Sequence, residues 1–186
     1  MAIIPMGIAM NVAIGLLVTA LKLPIFLDAI GTILFALVGG WRLGAIIGVL
    51  SSFVAGMFNP VLPYFAPTQF GIAVAAAMAA RQGLFSRLWQ RILTGIVIGF
   101  VAAILSAPVV ALVFGGVTTS GESLITGFFV ATGRNLWAAV TTTKLITEPL
   151  DKTLQTLAAY ALVKSMPKNL LQVLKRLPGY LDRNGL

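Results

Sequence analysis

Long runs of apolar residues, separated by short polar breaks and by breaks rich in glycine or proline, dominate the chain. The first run extends from Ile3 to Leu21 with a single Asn inside it, and it ends at Lys22 and Pro24. An apolar run of about 20 residues is long enough to cross a bilayer as an α-helix. The hydropathy pattern therefore predicts helices that span a membrane.

The same pattern predicts five further helices, which makes six in all. Their expected ranges are 28–40, 43–58, 69–80 with a start near Ala66, 92–114 and 149–163. A turn at Gly39–Arg42 separates the second helix from the third, and Asn59–Thr68, with its prolines, is predicted as a loop. We expect Asp28 to cap the second helix and Pro149 to lie in the first turn of the last helix, where its missing N–H costs nothing.

The segment Ser123–Ile146 is the ambiguous part of this pattern. It is long enough to span, yet Arg134 and Asn135 lie at its middle, and a central Arg is costly in lipid. We expect a re-entrant or surface-lying segment on the outer side of the bundle, with a seventh span as the alternative. The predicted fold class is thus an all-α integral membrane protein, with a transmembrane domain at 1–166 and a basic cytoplasmic C-terminal tail at 167–186.

Composition agrees with a membrane protein and excludes several classes of function. Of 186 residues, 59% are hydrophobic and 10% are charged, whereas a soluble domain carries about 25% charged residues. The chain has no Cys and no His, which excludes disulfides, Cys/His zinc sites and histidine bases. It also lacks a Walker A loop, an HExxH motif and a Ser/His/Asp set, so we predict no enzyme, no metal and no cofactor.

The net charge is +8, but it does not indicate nucleic-acid binding, because no segment combines basic residues with aromatics. The distribution of the basic residues along the chain instead indicates how the chain is oriented in the membrane. With the N-terminus inside, nine of the 13 Lys and Arg residues fall in inner segments and four in outer segments. The inner ones are Arg42, Arg81, Arg87, Arg91, Lys164, Lys168, Lys175, Arg176 and Arg183. The positive-inside rule therefore predicts that both termini are cytoplasmic.

Small residues recur at every fourth position of several predicted helices, such as Gly44 and Gly48, or Gly95 and Gly99. In lipid such stripes allow helix backbones to approach closely, so we interpret them as internal packing. Ala9 and Ala13 of the first helix differ, because Asn11 lies about 200° around the helix from either of them. If Asn11 faces the interior, the two alanines face outward, where a flat patch favours the docking of another protein.

Polar and aromatic residues at the outer ends of the helices and in the outer loops form a candidate binding site. Such groups in membrane proteins usually face a bundle interior or a cavity, and an aromatic, amides and a cation suit a small polar metabolite. The alternative is that the aromatics are interfacial anchors and the charges are solvated. The candidate substrate-binding residues are Asn59, Tyr64, Gln69, Arg134, Asn135 and Trp137.

The chain resembles the substrate-binding S components of energy-coupling factor (ECF) vitamin transporters. The similar features are the length, the six spans, Ala9-xxx-Ala13, and the stretch from Leu23 that reads LPIFLDAIGTIL, followed by Gly44-Ala-xx-Gly48. A further one is EPLDK, which starts at Glu148 in the last predicted helix. The LPIFLDAIGT stretch is most similar to the pantothenate-specific group.

The resemblance implies a receptor in the bacterial plasma membrane that binds one vitamin from outside with high affinity. Its partners would be a transmembrane coupling subunit and two cytoplasmic ATPases, with Ala9 and Ala13 in the docking face. Pantothenate is the expected cargo, and Arg134 is the first candidate to bind its carboxylate. The alternatives are an S component for another vitamin, a self-sufficient small-solute transporter, and a structural membrane protein without a ligand.

Overall fold

A computed structural model of the chain describes residues 3–118, 120–167, 172 and 174. These residues form helices and, within the described part, no β-strand. The helices are α1 (Ile3–Ala20), α2 (Ile30–Gly56), α3 (Ala66–Arg81), α4 (Leu88–Pro108), α5 (Glu122–Ala131) and α6 (Leu136–Ser165). A 3-10 turn, Leu62–Phe65, precedes α3, and a π-helical turn, Val109–Val113, extends α4. The all-α class is confirmed for the described residues. The six α-helices of that part are not the six predicted ones, because α2 contains two predicted helices and α5 was not predicted as a helix of its own.

Four of these helical segments are long and apolar enough to cross a membrane. They are Ile3–Ala20, Ile30–Gly56, Leu62–Arg81 and Leu88–Val113. Large apolar side chains point outward along the length of the bundle, for example Leu17, Phe53, Ile104 and Leu154, each more than half exposed. A soluble monomer rarely exposes contiguous apolar patches beyond a few hundred Å², so this surface is compatible with insertion into a bilayer.

The chain reverses inside α2, at Gly40. The φ and ψ angles of Gly40 are 77° and 173°, a region that is essentially restricted to glycine. The backbone after the turn lies against the backbone before it, since a Cβ placed on Gly44 would collide with Ala36, and one on Gly48 with Thr32. The two predicted helices are thus confirmed as a hairpin of 30–39 and 41–56, joined without a loop.

The small-residue stripe on α4 brings that helix close to α6. A Cβ placed on Gly95 would collide with Thr153, and one on Gly99 would collide with the backbone of Pro149. The predicted role of these glycines in internal packing is confirmed. The helix begins at Leu88, earlier than the predicted 92, where the Gln90 side chain accepts the Arg87 N–H at 2.9 Å and closes the first turn.

The last helix differs most from its prediction. It begins at Leu136, so Pro149 lies inside α6 and the placement of this proline in a first turn is wrong. Pairs of opposite charge at i,i+4 stabilise a helix, and the Lys144–Glu148 and Glu148–Lys152 pairs flank Pro149 and brace the turn that lacks its N–H.

The ambiguous segment 123–146 is neither one span nor one surface helix. It contains most of α5, a turn, and the first part of α6, which together form a helical hairpin. The boundary of the transmembrane domain at residue 166 stays a prediction. Of the predicted tail 167–186, only Pro167, Gln172 and Leu174 belong to the described residues, so the tail otherwise lies outside them.

Candidate functional site

Charged side chains on the inner face of α6 form a buried ion-pair cluster. The Lys144 ammonium lies 2.8 Å from Glu122 Oε2 and 3.1 Å from Glu148 Oε1. Lys144 and Glu122 are each only 2% exposed. Removing such charges from water costs several kcal/mol each unless they are paired and hydrogen-bonded. These contacts therefore fix α5 against α6.

About two helical turns after Lys144, Lys152 makes a second set of ion pairs. Its Nζ lies 2.6 Å from Asp151 Oδ2, 3.3 Å from Asp28 Oδ1 and 3.4 Å from Glu148 Oε2. Glu148 therefore lies between the two lysines and connects the two sets of pairs. We call Asp28, Glu122, Lys144, Glu148, Asp151 and Lys152 the charge cluster.

The charge cluster also holds the segment that leads into α2. Asp151 Oδ1 accepts the backbone N–H groups of Phe26 and Leu27, each at 3.0 Å. Gln155 Oε1 accepts the Ala29 N–H at 2.8 Å. The helix start is thus capped from α6, and the prediction that Asp28 caps it is wrong, because that carboxylate faces Lys152 and Gln69 instead.

A neutral polar layer lies beside the charge cluster and joins α1, both halves of α2 and α3. Asn11 Oδ1 accepts the Gly31 N–H at 2.7 Å, and its Nδ2 donates to Thr32 Oγ1 and Ser51 Oγ at 2.9 and 3.0 Å. Thr32 donates in turn to Gln69 Oε1 at 2.9 Å. Asn11 is 2% exposed and faces the interior, and Ala9 and Ala13 are exposed on the opposite face, as expected for that case.

Two small cavities, each of about 40 Å³, lie on either side of a partition between the polar layer and the charge cluster. The first is lined by Asn11, Ser51 and Ser52, and the second by Thr68, Lys144, Glu148 and Lys152. Both cavities share five wall residues, which form the partition: Phe26, Asp28, Leu62, Phe65 and Gln69. A water needs roughly 10–15 Å³, so each cavity has room for a few waters.

Of the six predicted binding residues, the structure brings only Gln69 into the walls of these cavities. Asn59 accepts the Val61 N–H within its own turn, and Tyr64 is 53% exposed with its ring against Phe114. These two residues belong to the connection between α2 and α3, near the shared wall residues Leu62 and Phe65.

Arg134, Asn135 and Trp137 lie together at the exposed turn between α5 and α6. Arg134 donates to Thr142 Oγ1 and lies over the Phe129 ring, while Asn135 caps α6 by accepting the Ala138 N–H at 2.8 Å. None of the three lines either cavity. Their role in binding stays a prediction, and the structure offers Lys144 and Lys152 as cations closer to the cavities.

None of the members of the charge cluster is among the six predicted binding residues, although four of them are close together in the sequence. Its members on α6 are Lys144, Glu148, Asp151 and Lys152, and the neutral Gln155 continues their spacing. Residues three and four apart share a face of a helix, so this spacing predicts a single polar stripe. That stripe lies opposite apolar residues such as Leu150 and Leu154, and it could have been found from the sequence.

With all six groups ionised, two lysines face four carboxylates, and the charge cluster has a formal charge of −2. No group of three or more acidic side chains suited to a metal occurs among the residues that the structure describes. The lysines occupy the space between the carboxylates instead. The site thus combines aromatic walls, buried charges and amides, which are groups that bind polar organic molecules.

No family model, characterised protein or solved structure matches this chain. The geometry of the site and the resemblance of the sequence motifs therefore carry the functional interpretation.

Proposed function

We propose that this chain is the vitamin-binding membrane subunit of an ATP-driven importer of the ECF type, with pantothenate as its cargo. The observation that carries the proposal is the pair of cavities beside a buried charge cluster, inside a bundle whose outer surface is apolar. Ionisable groups inside a membrane bundle are costly and usually mark a substrate or ion pathway. The charge cluster contains Asp28, Glu148, Asp151 and Lys152, which belong to the two motifs on which the resemblance depends.

Binding of a vitamin requires the partition between the cavities to move. Ligand pockets usually measure about 300–1,000 Å³, far more than the two cavities of about 40 Å³. Displacement of Phe26, Leu62 and Phe65 would join the cavities, since these side chains belong to the walls of both.

The proposed docking face for the coupling subunit is the face of α1 that points away from the bundle interior. Ala9 and Ala13 are exposed there, and Leu17 continues the same stripe at 61% exposure. Small side chains let a second membrane helix approach closely. We propose that two cytoplasmic ATPases act through the coupling subunit, because the chain itself has no nucleotide-binding loop.

The proposed topology has six spans in the bacterial plasma membrane with both termini in the cytoplasm. The two halves of α2 form one hairpin in this arrangement, and α6 crosses with its charges turned inward. The α5–α6 turn with Arg134 then lies on the outer side, as the count of Lys and Arg indicates. In this proposal, α5 and the first part of α6 form the re-entrant segment.

Calorimetry with the detergent-purified chain and pantothenate tests the receptor function directly. Binding near nanomolar affinity without any partner is expected, because S components are proposed to bind cargo alone. Ala9→Trp combined with Ala13→Trp should abolish uptake by the assembled importer and leave this binding unchanged. Loss of binding in the folded double variant would contradict the docking face, and absence of binding by any vitamin would contradict the receptor function.

A self-sufficient transporter is the second candidate, and the charge cluster favours it, because chains of buried acids serve as ion relays in such proteins. It predicts flux through proteoliposomes that contain this chain alone, without ATP. Flux that appears only after the coupling subunit and ATPases are added would exclude this candidate.

A further inference from the structure

The second cavity, beside Glu148 and Thr68, has the polar groups of a binding subsite with unused hydrogen-bonding capacity. We propose that this cavity binds an uncharged end of the ligand, a hydroxyl or amide N–H that donates to Glu148, and that a ligand carboxylate lies away from it. The proposal rests on the receptor function above and adds the chemistry and the orientation of the ligand.

Glu148 provides the first observation. Its Oε1 accepts from Lys144 at 3.1 Å and from Ser106 at 3.3 Å. Its Oε2 is buried and has no hydrogen-bond partner among the described residues. Lys152 Nζ lies 3.4 Å from that oxygen, which gives charge attraction without the alignment of a hydrogen bond. A buried acceptor that lacks a donor is costly, and a ligand donor in the adjoining cavity would remove this cost.

Thr68 provides the second, independent observation. It lies on α3, whereas Glu148 lies on α6, and it is 6% exposed. Its Oγ1 also lacks a hydrogen-bond partner within the described part of the chain, although Thr68 and Glu148 line the same cavity. A hydroxyl or amide group of a ligand can donate to the Glu148 carboxylate and pair with the Thr68 hydroxyl at the same time.

The charge of the site excludes a carboxylate as the group bound there. The charge cluster already has a formal charge of −2, and both lysines are paired with acids. Like charges at close distance repel strongly where water is excluded. A carboxylate beside Glu148 could not form a hydrogen bond with it, because both ionised groups only accept hydrogen bonds. The ligand end in this cavity must therefore donate hydrogen bonds and be free of negative charge.

Matched pairs of vitamins and their uncharged counterparts test the orientation by thermal stabilisation and calorimetry. The pairs are pantothenate and panthenol, biotin and biotinamide, and nicotinate and nicotinamide. In the pair that binds, we expect the uncharged member to bind within about tenfold of the acid, because the carboxylate lies outside the donor-binding cavity. A loss of more than about a hundredfold for the uncharged member that persists in Arg134→Ala would overturn the inference while keeping the receptor function, since a buried charge pair is worth that much and Arg134 would then not be the group that binds the carboxylate.

Thr68→Val tests the subsite itself, because it removes the hydroxyl with little change of shape. We expect binding to weaken about three- to tenfold, as for one lost hydrogen bond, and Thr68→Ser to restore it. Thr156→Val is the matched control, because Thr156 Oγ1 is also buried without a partner among the described residues but lines neither cavity.

Three results would count against the inference. Equal weakening by Thr68→Val and Thr156→Val, or none by the former, would remove Thr68 from the subsite. Failure of Thr68→Ser to restore affinity would assign the effect to packing. Absence of binding by all six compounds to the folded chain would overturn the receptor function for these cargoes and the inference with it.

Discussion

Two stretches of the chain near α6 contain the same kinds of residue in opposite environments. At the turn before the helix, Arg134 and Trp137 are exposed, and Arg134 contacts only neighbouring residues of the hairpin. In the middle of the helix, Lys144 and Lys152 are each 2% exposed and lie among four carboxylates. The cation predicted to bind the ligand carboxylate is on the surface, and two lysines that are not among the predicted binding residues are inside.

The difference shows what buries a cation. Arg134 has no acidic residue at helical spacing, so nothing repays the cost of removing its charge from water. Glu148 lies four residues after Lys144 and four residues before Lys152, so it pairs with both. Glu122 contacts Lys144, and Asp28 contacts Lys152, from other parts of the chain. A cation within an apolar segment therefore indicates an inward face when acids occur at i±4.

The largest expected effect comes from removing one partner inside the charge cluster. Lys144→Ala leaves Glu122 without a counter-ion and Glu148 with only Lys152, and breaking a buried pair costs about 3–5 kcal/mol. We expect the thermal unfolding midpoint in detergent to fall steeply, or the variant to fail to accumulate.

The double variant Lys144→Met with Glu122→Gln is the control for this prediction. It removes the charge and its unpaired partner together, so it should recover a large part of the stability. Equal losses in Lys144→Ala and in the double variant would show that packing, and not charge, holds α5 against α6.

The next effect concerns the neutral polar layer. Asn11→Ala removes the acceptor of the Gly31 N–H and the donor to Thr32 and Ser51. A buried group left without a partner costs about 1–3 kcal/mol, measurable by chemical denaturation in micelles. Ala13→Leu, on the exposed face of the same helix, should leave the stability unchanged, and a loss there as large as in Asn11→Ala would contradict this assignment of faces.

An effect of similar size is expected at the reversal of α2. Gly40→Ala forces a side chain into φ 77° and ψ 173°, which costs about 1–3 kcal/mol. Gly127→Ala is the matched control, since a Cβ there meets nothing within 4 Å and alanine favours α5. The unfolding midpoint should fall for Gly40→Ala and stay level or rise for Gly127→Ala, and the reverse order would argue against the hairpin.

Helix positions could be predicted from the sequence because lipid-length apolar runs and glycine breaks are local signals. The turn at Gly40 follows from such signals. The long α6 was not predicted, because Pro149 indicates a helix start in most contexts. Here the i,i+4 pairs Lys144–Glu148 and Glu148–Lys152 brace the helix around it. The acids Glu122 and Asp28, which also pair with these lysines, come from other parts of the chain.

The candidate site was harder to predict than the helices. Gln69 lines both cavities, and its role in substrate binding stays a prediction. Glu122 and Asp28 join the charge cluster only through the fold, because 22 and 116 residues separate them from Lys144 along the chain. The stripe on α6 was visible in the sequence, but its partners were not.

The smallest effect is expected at the exposed cation, and it tests the comparison most directly. Arg134→Ala removes a charge that solvent already screens, and such surface charges contribute about 0–1 kcal/mol. We therefore expect the unfolding midpoint to be unchanged and pantothenate affinity to fall less than about fivefold. A loss of a hundredfold or more, with the fold intact, would show that the α5–α6 turn closes over the bound ligand and brings Arg134 to its carboxylate. That result would make the exposed turn part of the site, and it would agree with a ligand whose uncharged end lies beside Glu148.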